Sequence, residues 1–375
     1  MKYVDEFRNI KTVNKLAGKI KAIMPEGKVN VMEVCGTHTH NYYRFGIDKL
    51  IPKNLKLISG PGCPVCVSSP EYIDAAIYLA KDKNVIITTF GDMLRVPGTD
   101  SSLEKEKAKG SKIITVYSPL DAVRIAKENS AKKIIFLGVG FETTAPAIAL
   151  TILAAKKERL KNLFFLTALK LIPPAMDFLL KDKRININGF LCPGHVSSII
   201  GTIAYEFIPR KFGIGCCIAG FEPVDILEGL YLLLGQIIRK EPCVENQYFR
   251  AVNRQGNLSA QKIMREVFSI VGADWRGLGK IQGTGLKINS KFSEFDAEKQ
   301  FGISYKASAK KSEAKFPRRG KGCNLKCRCG DVLKGLVEPD KCQLFRRICT
   351  PLNALGACMV SQEGACNAYY KYHKK

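Results

Sequence analysis

The sequence predicts an α/β fold with two three-layer α/β domains, each with a mainly parallel sheet, followed by a loop- and helix-rich C-terminal region. Three observations lead to this prediction. Residues 29–240 alternate short apolar runs with amphipathic stretches. These runs are too uniformly apolar for strands with a solvent-facing side, which favours parallel sheets covered on both faces. After about residue 241 the apolar runs end, glycine and lysine increase, and eight of the 14 cysteines follow.

Eight segments are predicted as strands because they are short and strongly apolar. They cover residues 29–34, 55–59, 85–90, 112–117, 133–140, 163–168, 189–192 and 214–220. Amphipathic helices are predicted between several of them, at 71–83, 121–129, 143–158 and 222–240. In the first of these, Ile73, Ala76, Ile77 and Ala80 recur at the spacing that places side chains on one helix face.

We expect two sheets, with the first domain boundary near Ser118-Pro119. The predicted domains are residues 20–118, residues 119–240, and residues 241–375 with 1–19 packing on the third. A short repeat supports the division, because GFET (140–143) and GFEP (220–223) each follow an apolar run and begin a helix.

Composition favours a cytoplasmic protein with reactive cysteines. The N-terminus lacks the apolar core of a signal peptide, and the longest apolar stretch, 229–238, is shorter than the ~20 residues of a membrane span. In a reducing compartment, clustered cysteines more often bind metal or perform redox chemistry than form structural disulfides.

The net charge is +25, and its densest concentration is residues 306–328, with nine basic side chains and one acid, Glu313. Such a segment can attract nucleic acid or an acidic protein. Because no aromatic ladder or nucleic-acid-binding motif accompanies it, we favour a flexible basic loop or an acidic partner protein, and no nucleic acid.

The motif CGTHTH (35–40) directly follows the first predicted strand. Strand ends carry the chemistry of many α/β folds, and Cys35 there is accompanied by His38 and His40 as possible bases or metal ligands. A surface loop and a small core cysteine are the structural alternative. The coincidence at a strand end favours a functional site.

The motif GPGCPVC (60–66) follows the second predicted strand and precedes a helix. The position ahead of a helix N-terminus lowers a thiol pKa, and the spacing of Cys63 and Cys66 allows a disulfide or half of a zinc site. Because no second half-site lies nearby in the sequence, we favour a dithiol/disulfide couple on a rigid, exposed turn.

A third motif, CPGHVS (192–197), places His195 at a strand-to-helix turn, where a ligand, a proton carrier or a capping residue would fit equally well. Cys216 and Cys217 lie within an apolar strand and are predicted to pack in the core. Cys243 has no evident partner.

The C-terminal cysteines are candidates for a cofactor site. They are Cys323, Cys327, Cys329, Cys342, Cys349, Cys358 and Cys366. Their spacing matches neither the radical-enzyme CxxxCxxC nor repeated CxxC, so the ligands must come from separated loops. Spacing alone slightly favours an iron–sulfur cluster over zinc and does not assign the ligands.

Taken together, these motifs resemble the HypD family, whose members help to build the iron centre of NiFe hydrogenases. The resemblance rests on CGTHTH (35–40), GPGCPVC (60–66), FLGVGFETTAP (136–146), CPGHVS (192–197), AGFEPVDIL (219–227) and the cysteine-rich tail (327–372). It covers nearly the whole chain. One departure, TPLNAL (350–355) in place of the usual TPENP pattern, touches no candidate ligand.

The resemblance implies a role for most of these residues. It implies a 4Fe–4S cluster on Cys327, Cys342, Cys349 and Cys366, with Cys329 as a rival for the first position. It implies that Cys35 binds iron and that Cys63 and Cys66 form a redox pair. His38, His195 and Glu363 stand in motifs that the family places around the same cleft.

The resemblance also implies partners and cargo. We expect complexes with a HypC-type chaperone and a HypE-type cyanide donor, in which transient iron receives two cyanides and carbon monoxide. The chain would then be a redox-active scaffold rather than a free-standing enzyme. Two alternatives remain open: a cluster-dependent disulfide reductase, and a zinc-dependent RNA-binding protein.

Overall fold

A computed structural model describes residues 5–304 and 327–373. The helices, numbered in chain order, are α1 (Ile10–Ile23), α2 (Gly36–Arg44), α3 (Ile47–Leu50), α4 (Pro70–Ala80), α5 (Leu103–Ala108), α6 (Asp121–Glu128), α7 (Ala145–Lys157), α8 (Ile172–Leu180), α9 (Gly194–Ile200), α10 (Phe207–Phe212), α11 (Pro223–Arg239), α12 (Leu258–Val267), α13 (Ala297–Gln300), α14 (Cys329–Leu333), α15 (Ala357–Val360) and α16 (Ala365–Tyr372). The strands are β1 (Val29–Glu33), β2 (Leu55–Ser59), β3 (Val85–Thr89), β4 (Ile113–Thr115), β5 (Lys133–Gly140), β6 (Leu163–Lys170), β7 (Gly189–Pro193), β8 (Gly215–Ala219), β9 (Val244–Asn246), β10 (Phe268–Trp275) and β11 (Gly279–Ile288). Across the described ranges, no helix combines the length and apolar character needed to cross a bilayer.

The first sheet contains five strands in the order β2-β1-β7-β8-β9, and all neighbouring pairs are parallel. In the β1–β2 pair, Glu33 lies opposite Ser59. Parallel strands end at the same edge of a sheet, so the segments that follow β1 and β2 leave the sheet side by side. This edge therefore brings together the two N-terminal cysteine motifs.

The second sheet contains six strands in the order β10-β11-β6-β5-β3-β4. The four strands from β3 to β6 are parallel, whereas β10 and β11 form an antiparallel hairpin that adds to β6. The hairpin extends the sheet beyond the parallel strands, and its turn at residues 275–279 reaches the segment that follows Cys66.

Both sheets are covered on both faces, as the apolar runs predicted. Adjacent strand residues pack into different hydrophobic clusters: Ile86 and Ile87 in β3, and Val31 and Met32 in β1. One of these clusters contains residues of both sheets, so the sheets share a continuous core. The predicted α/β class with two mainly parallel sheets is confirmed.

The strands are distributed between the sheets differently from the predicted grouping, which separated them near Ser118-Pro119. β3, which pairs with β4 before that point, also pairs with β5 beyond it. The chain forms β1 and β2, then the parallel part of the second sheet, and then returns to the first sheet with β7–β9. Apolar periodicity reports burial and not which sheet a strand joins, which explains the difference.

The region after residue 241, predicted as loop- and helix-rich, also contains three strands among its described residues. It contributes β9 to the first sheet and the β10–β11 hairpin to the second. Helix α1 packs on α11 and on the first sheet, with Val13 and Ile20 in that core, whereas the Phe7 ring ahead of it lies 3.8 Å from the Arg250 guanidinium of the third predicted region. Residues 1–4 and most of the basic segment 306–328, with Cys323 and Glu313, lie outside the described residues.

Helix α4 illustrates how local signals set an element's limits. Ser69 caps its N-terminus by accepting a hydrogen bond from the Tyr72 amide at 3.3 Å, and Pro70 occupies the first turn. All four residues of the predicted apolar face, Ile73, Ala76, Ile77 and Ala80, are buried. The predicted helix is therefore present, beginning one residue earlier and ending three residues sooner than expected.

The C-terminal region, residues 327–373, consists of short helices and loops, as predicted. Helix α16 packs on α2, the helix that begins directly after Cys35. The aromatic rings of Tyr43 and Tyr369 meet edge to face, with centroids 5.3 Å apart. The tail is therefore anchored beside the N-terminal cysteine motif.

Candidate functional site

Cys35 lies between β1 and α2, where it is the N-cap residue of the helix. Its backbone is extended, its amide donates to Glu33 Oε2 at 2.8 Å, and its side chain is buried. The thiol thus lies at the strand end that the sequence predicted, within a packed environment.

The GPGCPVC turn packs directly against the backbone of Cys35. The Gly36 amide donates to the Gly62 carbonyl at 2.9 Å, and the Gly60 amide donates to the Glu33 carbonyl at 2.7 Å. A Cβ atom on Gly62 would lie 2.1 Å from the Cys35 nitrogen, so only glycine permits this approach. The two motifs are therefore in contact.

The tail supplies a third side of the site through Glu363. A Cβ atom on Gly36 would lie 2.4 Å from the Cβ of Glu363, and Thr37 Oγ1 donates to Glu363 Oε1 at 2.7 Å. Ser361, two residues earlier, donates from its hydroxyl to Asp92 Oδ2 at 2.8 Å. The structure thus places Glu363 beside the first turn of α2.

The buried environment strongly favours the neutral form of Cys35. Burial, together with the carboxylates of Glu363 and Glu33, raises the pKa of its thiol to about 12. Backbone hydrogen bonds from His38 and Thr37 act in the opposite direction. A metal that binds this sulfur must therefore displace a proton.

Glu33 is a buried acid that the sequence analysis did not assign. It accepts hydrogen bonds from the Cys35 amide and from the Thr39 hydroxyl, and it is fully enclosed. Burial raises the pKa of its carboxyl and outweighs the opposing hydrogen bonds from Thr39, Cys35 and Ser59, so that the pKa is about 8. An acid inside the apolar run VNVMEV was the available signal.

We expect Glu33→Gln to become increasingly stabilising relative to wild type as pH rises from about 4.5 to about 8. Because the folded-state pKa is above the unfolded-state value, wild type loses stability across this window as the buried carboxyl ionises. The difference in unfolding free energy should grow by a few kcal/mol, at about 1.4 kcal/mol per pKa unit. Urea denaturation at several pH values measures it.

Glu128→Gln is the matched control, because Glu128 is an exposed acid paired with Arg124 on α6. Its unfolding free energy relative to wild type should change little over the same window. A pH-independent difference for Glu33→Gln would show that Glu33 is already ionised in the folded protein.

Two of the predicted histidines lie on either side of Phe221. The His195 ring stacks on Phe221 with centroids 3.9 Å apart, and the His38 ring lies 4.8 Å from it at a tilt. His38 is buried, whereas His195 has an exposed edge. The structure therefore brings His38 and His195 together through an aromatic residue that the sequence analysis had not singled out.

The surroundings of His38 fix its tautomer. Nε2 lies 2.8 Å from the Gly220 carbonyl, which can only accept, so this nitrogen carries the proton. Nδ1 is buried and has no hydrogen-bond partner among the described residues. Burial lowers the pKa of His38 to about 4, so the ring is neutral at pH 7 with an available lone pair.

Cys63 and Cys66 are joined by a disulfide, the oxidised form of the couple that the sequence favoured. The Cys66 amide lies 3.1 Å from the Cys63 sulfur. The prediction that this turn is exposed is wrong, because the side chain of Cys63 is only 3% exposed and that of Cys66 is 0% exposed. The cysteines are buried because the GPGCPVC turn packs against Cys35 on one side and the β10–β11 hairpin covers the residues that follow it.

The C-terminal cysteines line one cavity. Its thiol-bearing residues are Cys327, Cys329, Cys342, Cys349, Cys358 and Cys366. Its other walls are apolar, including Leu344, Phe345 and Met359. All four ligands that the resemblance implies face this cavity, together with the rival Cys329 and one further cysteine, Cys358.

The thiols of this cavity lie close enough to influence one another. Burial raises the pKa of Cys366, and Cys327, Cys329, Cys349 and Cys342 raise it further. Burial also raises the pKa of Cys349, and Cys327 and Cys342 raise it further. Cys327 and Cys329, the two candidates for the first ligand position, are both neighbours of Cys366.

The donor set fits an iron–sulfur cluster, which is bound by thiolates from separate loops in an apolar setting. Gly356 contributes to this fit, because a Cβ atom there would lie 2.7 Å from the Cys327 sulfur and fill the space beside it. Within residues 5–304 and 327–373, no three His, Cys, Asp or Glu side chains are arranged to hold a single metal ion.

The remaining cysteines behave as structural residues. Cys192, Cys216 and Cys217 are fully buried in the strands of the first sheet, as predicted for the latter two. Cys243 is exposed.

Comparisons with known proteins agree with the resemblance. The family model HypD, described as "Hydrogenase formation hypA family", matches residues 11–373. The chain is 41% identical over 382 residues to the hydrogenase maturation factor HypD of Escherichia coli strain K12, covering 100% of this chain and 99% of the relative. It is 40% identical over 381 residues to the HypD factor of Cupriavidus necator, covering 99% and 97%. It is also 40% identical over 383 residues to that of Rhodobacter capsulatus, covering 99% and 98%.

Proposed function

This chain belongs to the HypD family of hydrogenase maturation factors, and we propose that it holds iron while cyanide and carbon monoxide ligands are attached. The observation that carries the proposal is the meeting of three segments at the N-terminus of α2. The backbone of the GPGCPVC turn lies against Cys35, and Glu363 packs on the first turn of α2. Cys35, the segment that carries the disulfide and the Glu363 side chain are therefore neighbours.

Cys35 holds the iron through its sulfur, together with a thiolate from a HypC-type chaperone. A thiolate is a soft ligand suited to iron that carries cyanide and carbon monoxide. The raised pKa of the free Cys35 thiol keeps it protonated until iron arrives, so loading releases a proton.

His38 and His195 orient the site and carry protons. His38 is neutral, and its Nε2–H is held by the Gly220 carbonyl, which leaves Nδ1 free to accept a hydrogen bond or a proton. His195 has one ring face on Phe221 and an exposed edge, so it can exchange protons with solvent.

Cys63 and Cys66 supply electrons for cyanide transfer. A HypE-type donor carries cyanide as a thiocyanate, and cleavage of its S–C bond to thiolate and cyanide consumes two electrons. Oxidation of the two thiols to the disulfide provides two electrons and releases two protons, so the step balances. The contact between Cys35 and Gly62, which is one residue before Cys63, supports this role for the pair.

The cysteine cavity would hold a cofactor able to supply the electrons that restore the dithiol. Cys327, Cys342, Cys349 and Cys366 would hold a 4Fe–4S cluster, with Cys329 as the rival ligand. A bound cluster supplies electrons one at a time. Cys66 and Cys358 are both buried and belong to the same hydrophobic core, which supports electron transfer between the disulfide and the cavity.

The alternative, a cluster-dependent disulfide reductase acting on other proteins, fits the site less well. Such an enzyme must expose one sulfur of its redox pair to the substrate disulfide. Both Cys63 and Cys66 are buried beneath other segments of this chain.

The test is anaerobic co-purification with a HypC-type chaperone, followed by infrared spectroscopy. The proposal expects bands of iron-bound cyanide and carbon monoxide that are present in the complex and absent from either protein alone. Turnover of a thioredoxin-type disulfide without the chaperone, and no such bands with it, would favour the reductase.

A further inference from the structure

The turn of the β10–β11 hairpin lies between the two groups of cysteines. Trp275 forms an isolated antiparallel bridge with Ser68, and the Arg276 amide donates to the Val67 carbonyl at 2.9 Å. Val67 and Ser68 directly follow Cys66. The hairpin therefore adds backbone hydrogen bonds to the segment that carries the disulfide.

The Arg276 side chain strengthens this contact. Nε donates to the Ser68 carbonyl and Nη2 donates to the Pro97 carbonyl, each at 2.7 Å. The rigid planar guanidinium can donate to two carbonyls at once, which the single ammonium of lysine cannot reproduce with the same geometry. Arg276 thus fixes the position of the segment after Cys66.

The same turn also packs against a wall of the cysteine cavity. Gly277 has a φ of +81°, and a Cβ atom there would lie 2.5 Å from the Gly330 Cα. Gly330 follows Cys329 in the first turn of α14. Only glycine allows this approach at both positions, so the hairpin tip is closely fitted to the loop that carries two of the cavity cysteines.

The guanidinium is also an electrostatic neighbour of the cavity. Burial lowers the pKa of Arg276, whereas the thiols of Cys329, Cys358 and Cys327 raise it. A positive charge in a poorly solvated position favours negative charge nearby, and added electrons are negative charge. Arg276 is therefore placed to act on both the disulfide segment and the cavity.

We propose that Arg276 is a positioning residue that couples the two cysteine groups, a role that rests on the proposed function above. Its hydrogen bonds hold the disulfide segment against the cavity, and its charge stabilises the reduced state of the centre that the cavity thiols bind. Loss of the charge lowers the midpoint potential of that centre. Loss of the hydrogen bonds slows opening of the disulfide.

The experiment compares anaerobically purified wild type with Arg276→Gln and Arg276→Lys. The cluster midpoint potential is measured by redox titration followed by electron paramagnetic resonance. Opening of the Cys63–Cys66 disulfide after addition of dithionite is followed by thiol alkylation and mass spectrometry. Arg328→Gln is the matched control, because Arg328 lies between Cys327 and Cys329 in the sequence but is solvent-exposed and paired with Asp331.

For Arg276→Gln we expect a tenfold less favourable one-electron reduction, which corresponds to a midpoint potential lower by about 59 mV, and slower disulfide opening. Arg276→Lys should keep a potential near that of wild type but still open the disulfide slowly. Arg328→Gln should change the potential less than Arg276→Gln, because water screens an exposed charge.

An unchanged potential in iron-loaded Arg276→Gln, or an equal shift in Arg328→Gln, would overturn the proposal. Loss of iron and sulfide from both Arg276 variants would also overturn it, in favour of a purely structural role. If anaerobically purified wild type contains no cluster, the proposed function is refuted, and the role proposed for Arg276 is refuted with it.

Discussion

Replacing Cys35 with alanine is expected to abolish the infrared bands of iron-bound cyanide and carbon monoxide in the chaperone complex. The change removes the sulfur that we propose as the iron ligand and adds no bulk between Glu33 and the GPGCPVC turn. The cysteine cavity is formed by other segments, so the visible absorbance of a cluster should remain at its wild-type level. Infrared and visible spectra of one preparation measure both properties.

Cys243→Ala is the matched control for this variant, because it removes an exposed cysteine outside the site. It should retain both the infrared bands and the visible absorbance. Undiminished cyanide bands in Cys35→Ala would mean that another group holds the iron, and His38 with its free Nδ1 would be the next residue to replace.

Replacing Cys342 with alanine should produce the opposite pattern. Cys342 is a buried residue of the cavity, and a cluster that loses one of four thiolate ligands is expected to bind on the order of tenfold more weakly or worse. Iron and sulfide content and visible absorbance should fall accordingly. The disulfide between Cys63 and Cys66 should still form, because its segment packs on Cys35 and the hairpin.

Cys329→Ala distinguishes the two candidates for the first ligand position. If Cys327 is the ligand, this variant retains the cluster. If Cys329→Ala loses it as completely as Cys342→Ala, then Cys329 is the ligand and Cys327 the neighbour. Loss of the same property in Cys35→Ala and Cys342→Ala would contradict the separation of the site into two centres.

Much of the fold could be predicted because strands that are buried on both faces consist of short, uniformly apolar runs. The parallel strands are short apolar runs, and β5 matches its predicted range of 133–140. The β10–β11 hairpin was missed because β10 is largely exposed and β11 carries several glycines, which are unusual inside strands. Neither strand has the uniform apolar character used to recognise the others.

The part of the candidate site that lies at strand ends could be predicted from the sequence. Cys35 and the GPGCPVC turn follow neighbouring parallel strands, so the rule that such ends meet was sufficient. Phe221 and Arg276 could not be inferred in this way, because their roles depend on contacts between elements distant in the chain. Hydrophobic periodicity contains no information about such contacts.

The proposal that Cys63 and Cys66 supply the electrons for cyanide transfer is tested most directly by counting disulfide and iron-bound cyanide in the same sample. Protein with Cys63 and Cys66 reduced and its cluster oxidised is mixed anaerobically with the chaperone, iron and a thiocyanate-loaded HypE-type donor, without added reductant. We expect one disulfide between Cys63 and Cys66 for each cyanide that appears on iron, and no further transfer until electrons are supplied. Cyanide bands that appear while both cysteines stay reduced would contradict the proposal.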